Sequence, residues 1–211
     1  MAANVTDLEG NLYFSDIEAG EYYYVEDSCP ENYLKLSERR QIICDSDNAL
    51  IEDTVMNELY KINLSICKSG EQVRITKKGI SYETQPLEGV VFGIYQGFDY
   101  KMNSGNSLLK DSCVGYLVTD RQGTAVYEGK LPTGSYYLKE LKTMPGYEID
   151  KREYPFDISP KQNQNQTIRL ENDNIFMNML LKSSVQINKT DANTNKSVSY
   201  THLRAHETSA H

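Results

Sequence analysis

The segment VTDRQGTAVYEGKLPTGSYYLKELKTMPGY, residues 118–147, has a divergent second copy near the start of the chain. That copy, residues 5–33, is VTDLEGNLYFSDIEAGEYYYVEDSCPENY. The Val-Thr-Asp openings of the two copies are 113 residues apart, and their closing tyrosines are 114 apart. A shorter similarity, between VRITKKG from Val73 and VQINKTD from Val185, gives an offset of 112. Two separate motifs therefore indicate one repeat of about 113 residues.

This period divides the 211 residues into one complete repeat and two partial ones. Residues 1–68 are expected to be the C-terminal half of a truncated repeat, and residues 69–182 a complete repeat. Residues 183–197 would be the first strand of a further repeat. Residues 198–211, VSYTHLRAHETSAH, match nothing earlier in the chain. We expect them to be an unstructured tail that is a read-through artefact.

The pattern of apolar residues predicts an all-β fold. Short alternating segments are separated by Gly and Pro, and helical periodicity is hard to find. Several short strands in about 110 residues are typical of an Ig-like β-sandwich, so we expect tandem sandwiches. The predicted strands of the complete repeat are Val73–Lys77, Val90–Tyr95, Val114–Thr119, Tyr136–Leu141 and Thr167–Asn172.

Composition excludes several classes of function. The chain has 30 acidic and 22 basic residues, which argues against binding nucleic acid. No stretch approaches the roughly 20 apolar residues of a membrane-spanning helix. The four cysteines have no metal-ligand spacing and are expected to be free, small core residues. All three histidines lie in the last ten residues, and we find no catalytic constellation, metal site or cofactor motif. We therefore do not expect an enzyme that acts on an external substrate.

Three predicted strands of the complete repeat carry an inward-facing apolar run that ends in a polar residue. These polar residues are Lys77, Glu140 and Asn172. Lys and Glu are rarely buried unless they are paired, so the three side chains either meet in the core or cap strand ends in water. The partial repeats show incomplete equivalents of the same pattern: Glu26, Asn57 and Lys189.

These motifs resemble the Cna B-type and SpaA-like prealbumin-fold domains of Gram-positive surface proteins. The resemblance rests on the E-box-like segment that contains Glu140, on LEGVVFGIY at Leu87–Tyr95, on IRLEN and on V-x-I-x-K at Val73. It implies an intramolecular isopeptide bond in which Lys77 is the nucleophile, Asn172 the electrophile and Glu140 the promoting acid. Lys78 is a rival nucleophile, but its parity places it on the outer face.

The resemblance implies a structural stalk or shaft module of an adhesin or pilin-like protein on the cell wall of a Gram-positive-type bacterium. Its partners would be neighbouring repeats of the same chain. The alternative is an adhesive module that recognises a host protein or glycan through its loops. The 16-residue stretch Gln96–Asp111 is the candidate loop, because it is long for a hairpin connection and contains Phe98, Tyr100 and Met102.

Overall fold

The computed structural model describes residues 2–30, 32–45, 50–101, 107–160 and 165–198. These ranges contain strands and no helix, which confirms the all-β prediction. The thirteen strands are β1 Gly20–Tyr24, β2 Arg40–Cys44, β3 Tyr60–Thr76, β4 Gly79–Pro86, β5 Val91–Gln96, β6 Tyr100–Lys101, β7 Ser107–Leu108, β8 Cys113–Val118, β9 Thr124–Leu131, β10 Gly134–Lys142, β11 Glu153–Ile158, β12 Asn165–Thr167 and β13 Ile175–Asn178.

Two sheets form the sandwich. One contains four antiparallel strands in the order β11-β10-β5-β8. The other is built around β3, which pairs antiparallel with β4 and β9 and parallel with β12 and β13. Side chains of alternate residues meet between the sheets and form the core. Fully buried members of this core include Leu64, Ile66, Phe92, Leu138 and Phe176.

The first strand of the sandwich begins earlier than the sequence suggested. Strand β3 has 17 residues, and its buried part is Tyr60 to Glu71. The expected domain boundary between residues 68 and 69 therefore falls inside β3. Val73 and Ile75, expected to face the core, are 42% and 66% exposed. They belong to a hairpin of β3 and β4 that extends beyond the core.

The last strand is interrupted by a turn that the sequence analysis did not predict. Ile168 and Leu170 are buried as expected, but the chain then turns through residues 171–174 before β13 begins. Asn174 has a φ of 62° and holds this turn through its side chain. Its Nδ2 donates to the carbonyl oxygens of Ser65, at 2.8 Å, and Ile168, at 3.0 Å. The side chain thus satisfies carbonyl groups where the strand ladder is broken.

The N-terminal region contains a separate antiparallel pair, β1 with β2. Large apolar side chains there are exposed, including Leu8, Tyr13 and Tyr23. The described chain divides into two compact units, of which the first ends at Leu180. In the second unit Thr190 forms a single bridge with Ser197. Apart from Val198, the expected tail lies outside the described residues.

Candidate functional site

Three polar side chains meet in the apolar core, and they are Lys68, Glu140 and Asn178. Lys68 Nζ lies 2.8 Å from Glu140 Oε2 and 2.6 Å from Asn178 Oδ1. Asn178 Nδ2 donates to Glu140 Oε1 at 2.6 Å, so the three groups form a closed ring of hydrogen bonds. The three residues are only 2–3% exposed. Such a buried polar cluster requires that each member have a partner, and here each has two.

The strand register explains why the three side chains converge. Lys68 follows Leu64 and Ile66 on the inward face of β3. Asn178 ends β13, which runs parallel to β3 and places Asn178 opposite Gly70. Glu140 follows Leu138 on the inward face of β10, in the facing sheet. The site therefore joins the first and last strands of one sheet to a carboxyl group from the other.

The environment of Lys68 makes its ammonium easier to deprotonate than that of an exposed lysine. Burial lowers the pKa of Lys68, and the hydrogen bond and negative charge of Glu140 offset this only in part. The ring centroids of Phe92 and Phe176 lie 5.5 Å and 5.8 Å from Nζ, and the Lys68 side chain is fully buried. A neutral lysine amine is a nucleophile, whereas an ammonium group is not.

The structure brings Glu140 into the site as predicted, but it does not bring Lys77 or Asn172 there. Lys77 is exposed in the tight turn between β3 and β4, and Lys78 lies beside it in the same turn. Asn172 lies in the turn before β13, where its Nδ2 donates to the carbonyl oxygen of Ile175. Both assignments are corrected by the geometry, since each extended a strand pattern past the point at which the strand leaves the core.

A repeat offset of 121 residues would have identified Lys68 and Asn178. Met56 and Asn57 recur as Met177 and Asn178, and the same offset relates Lys68 to Lys189. The similarity between VRITKKG and VQINKTD, with an offset of 112, instead relates Lys189 to Lys77. That similarity aligns the exposed hairpin after Lys68, instead of the segment that contains Lys68, with the residues around Lys189.

The incomplete equivalents have different surroundings. Asn57 Nδ2 donates to Glu26 Oε1 at 2.7 Å, so a glutamate–asparagine pair is also present in the N-terminal region. The other carboxylate oxygen, Glu26 Oε2, accepts a hydrogen bond from the backbone N–H of Leu36. Lys189 is exposed, and its carbonyl oxygen accepts a hydrogen bond from the N–H of Val198.

Two charged residues lie near Asn178 in a cavity at the surface. Asp150, Arg152 and Asn178 line a shallow cavity of about 290 Å³. Tyr154 donates to Asp150 at 2.6 Å, and its ring packs on Phe176 at 4.7 Å between centroids. Partial burial raises the pKa of Asp150, but hydrogen bonds from Arg152 and Tyr154 together lower it to about 2.

The candidate recognition loop is partly folded onto the sandwich. Phe98 packs edge-on against Tyr136, with 5.8 Å between the ring centroids. Strands β6 and β7 pair within the loop. Met102 lies outside the described residues. Recognition through this loop stays a prediction.

Other potential sites are not evident in the part of the chain that the structure describes. No cluster of three or more metal-ligating side chains occurs among those residues. Nor does that part contain a helix with the length and apolarity needed to cross a bilayer. The four cysteines are free, as expected, but none is a core residue: three are half-buried and Cys67 is exposed.

Comparison with known proteins places the chain in a family. A family model described as the SpaA prealbumin-like fold domain matches residues 1–59 and 71–174. A search of curated proteins gave no match.

The comparison with solved structures found similarity to several bacterial proteins. The TIE protein of Bacillus anthracis is 24% identical over 83% of this chain and 27% of its own, with a TM-score of 0.48. GBS52, the minor pilin of Streptococcus agalactiae, is 20% identical over 87% of this chain and 70% of its own, with a TM-score of 0.38. BcpA, the major pilin subunit of Bacillus cereus, is 20% identical over 57% and 28%, with a TM-score of 0.29. This chain thus spans about a quarter of the TIE protein and of BcpA.

Proposed function

The chain belongs to the SpaA family of prealbumin-like fold domains, and from this premise we propose that it is a structural module of a bacterial surface stalk or pilin-like shaft. We propose further that a covalent isopeptide bond between Lys68 and Asn178 closes its sandwich. The observation that carries the proposal is the ring of hydrogen bonds among Lys68, Glu140 and Asn178 in an apolar core.

The reaction needs only groups that are already in contact. Glu140 takes a proton from the Lys68 ammonium along their 2.8 Å hydrogen bond, which leaves a neutral amine beside the Asn178 carboxamide. Lys68 Nζ attacks Asn178 Cγ and forms a tetrahedral intermediate. Glu140 then delivers this proton to Asn178 Nδ2, and ammonia leaves as the C–N bond breaks. Glu140 also takes the second proton that Nζ must lose and passes it to the departing ammonia, which leaves as ammonium. The product is a secondary amide, and Glu140 ends as the carboxylate from which it began.

The protein environment contributes position and desolvation. Holding amine and carboxamide together makes the step intramolecular, which can replace a large part of an activation barrier. Burial lowers the pKa of Lys68 and so makes the amine available. The reaction occurs once per molecule and consumes its own side chains. We therefore propose that the chain is not an enzyme with an external substrate and needs no cofactor.

The proposed location and partners follow from the same role. A sandwich that is crosslinked through its own side chains needs no disulfide, and the four cysteines are unpaired. We place the module outside the cell, at the wall of a Gram-positive-type bacterium, where it would adjoin neighbouring repeats of its own chain or other pilin-like subunits. Residues 72–84, which extend β3 and β4 beyond the core, are exposed.

Intact-mass spectrometry of the full chain tests the proposal. The wild type should weigh one ammonia less than its sequence, and Lys68→Ala, Glu140→Ala and Asn178→Ala should each have the full mass. Lys77→Ala and Asn172→Ala are matched controls, and both should still lose one ammonia. A wild-type chain of full mass after folding would refute the crosslink.

A second measurement excludes another source of the same mass change. An asparagine that cyclises to a succinimide also loses one ammonia, but it does not join two peptides. Proteolysis followed by tandem mass spectrometry should therefore yield a branched peptide that contains Lys68 and Asn178. If only linear peptides appear, the mass loss has a different origin and the proposed bond is absent.

A further inference from the structure

The Asn178 side chain has a third hydrogen-bond partner that the proposed reaction does not use. Its Nδ2 donates to Thr143 Oγ1 at 2.7 Å, in addition to Glu140 Oε1 at 2.6 Å. Thr143 is half-buried and directly follows the end of β10. The contact links a carboxamide on β13 to a hydroxyl group that arrives from the opposite sheet.

A β-bulge makes this contact possible. Glu140 pairs with Phe92, and Lys142 pairs with Val91, so β10 has one extra residue at this point. Strict alternation would place Lys142 on the inward face with Glu140. The extra residue shifts the alternation by one, so Lys142 is exposed and Thr143 faces Asn178. Bulges commonly redirect a side chain beside a functional group.

We infer that Thr143 is a positioning residue for the crosslink, holding the Asn178 carboxamide in the plane that presents its carbonyl carbon to Lys68. This inference rests on the proposed function. The last torsion of an asparagine side chain is broad. Lys68 Nζ must give up its hydrogen bond to Asn178 Oδ1 when it attacks Cγ, and the hydrogen bond to Glu140 alone would then leave the amide free to turn. A second acceptor on the same nitrogen fixes the plane. Thr143 exchanges no proton in this role, because Glu140 carries it from Lys68 to the departing nitrogen.

A hydroxyl group suits this role through the whole reaction. It can accept a hydrogen bond from the carboxamide nitrogen or donate one to the carboxamide oxygen, so it holds the group in either orientation. Asn178 Nδ2 can keep its hydrogen bond to Thr143 Oγ1 as the C–N bond breaks. A methyl group in the same place could neither accept nor donate a hydrogen bond.

The N-terminal repeat supplies an internal comparison. Glu26 and Glu140 are 114 residues apart, and the same offset relates Cys29 to Thr143. Cys29 Sγ donates to the carbonyl oxygen of Tyr33 at 3.3 Å, and Asn57 Nδ2 donates to Glu26. A glutamate–asparagine pair thus forms without the hydroxyl, and the hydroxyl is an addition at the site that also contains the lysine.

The test compares crosslinking rates of the full chain and three variants. Thr143→Val keeps the shape and removes the hydroxyl, Thr143→Ser keeps the hydroxyl, and Thr143→Cys installs the residue of the N-terminal repeat. Each chain is made in a short cell-free synthesis pulse. Samples are quenched in denaturant at intervals, and the fraction that has lost ammonia is measured by intact mass. Hydrogen exchange of the folded chains reports separately on whether each variant is folded.

We expect Thr143→Val and Thr143→Cys to crosslink roughly 10- to 100-fold more slowly than the wild type, as a small misplacement of reacting groups would cause. Thr143→Ser should react within a few-fold of the wild type, which a purely structural effect of the Thr143 methyl group would not produce. If Thr143→Val reacts as fast as the wild type, or Thr143→Ser as slowly as Thr143→Val, the inference is overturned while the proposed crosslink stands. If the wild type itself never loses ammonia, both the proposed crosslink and the role of Thr143 are refuted.

Discussion

Replacing Lys68 by Met and Glu140 by Gln together should remove the crosslink without leaving a buried charge. Met follows the path of the lysine stem, and Gln can still hydrogen-bond to Asn178. Exchanging a buried ion pair for neutral groups of similar size is often nearly neutral in stability. The difference from the wild type therefore isolates the contribution of the covalent bond.

The structure gives the size of that contribution. Lys68 and Asn178 are 110 positions apart, and the loop-entropy relation for a covalent link across such a loop gives about 5 kcal/mol. For a domain of this size the same free energy corresponds to a loss of roughly 15–20 °C in melting temperature. Lys77→Met, in the exposed turn, is the matched control and should change stability by less than about 0.5 kcal/mol.

Thermal and denaturant unfolding, each followed by circular dichroism, measure the effect on samples whose masses have been checked. The reasoning is refuted if the wild type has lost ammonia and yet the double variant unfolds within about 1 kcal/mol of it. The reasoning would also be refuted if the Lys77→Met control lost as much stability as the double variant, because the β3–β4 hairpin, not the crosslink, would then account for the stability.

Three further predictions concern the surroundings of the site. Gly70→Ala should destabilise the fold by about 1–3 kcal/mol in denaturant unfolding, because the added Cβ meets the ring of Tyr147; an unchanged midpoint would mean that the ring can move aside. Asn174→Ala should cost about 2–4 kcal/mol, since it removes three hydrogen bonds and leaves alanine at a positive φ. In acid titration of unfolding, the advantage of the wild type over Asp150→Asn should be fully present above pH 3.8, the usual pKa of the carboxyl, and disappear as the pH falls through about 2. A difference independent of pH would show that Asp150 acts by shape alone.

The fold class and the buried position of Glu140 could both be predicted from the sequence, and for the same reason. In β10 the apolar residues Tyr136 and Leu138 lead directly to Glu140, and the strand stays in the core to that point. Alternation is reliable wherever a strand is buried on one face along its length. The burial of Ile168 and Leu170 could be predicted on the same ground.

Alternation cannot show where a strand leaves the core. Strand β3 continues as an alternating apolar segment after Lys68, so Val73 and Ile75 have the pattern of core residues although they lie on a projecting hairpin. In the same way, Asn172 continues the parity of Leu170, but left-handed residues at Asp173 and Asn174 end the strand first. Lys77 and Asn172 were both wrongly assigned because tertiary contacts, not the local sequence pattern, decide where these strands leave the core.

The parallel pairing of β13 with β3 has a mechanical consequence. A pull on the chain from both sides enters the sandwich along β3 and leaves along β13, so these two adjacent strands are loaded in opposite directions and must slide past one another to separate. With Lys68 bonded to Asn178, the load passes from one strand to the other through a single amide near the exit of the domain. The residues between them carry none of it. Strands β4 to β12 could then neither extend nor dissipate energy under tension. A fibre of such modules would therefore lengthen very little when it is pulled.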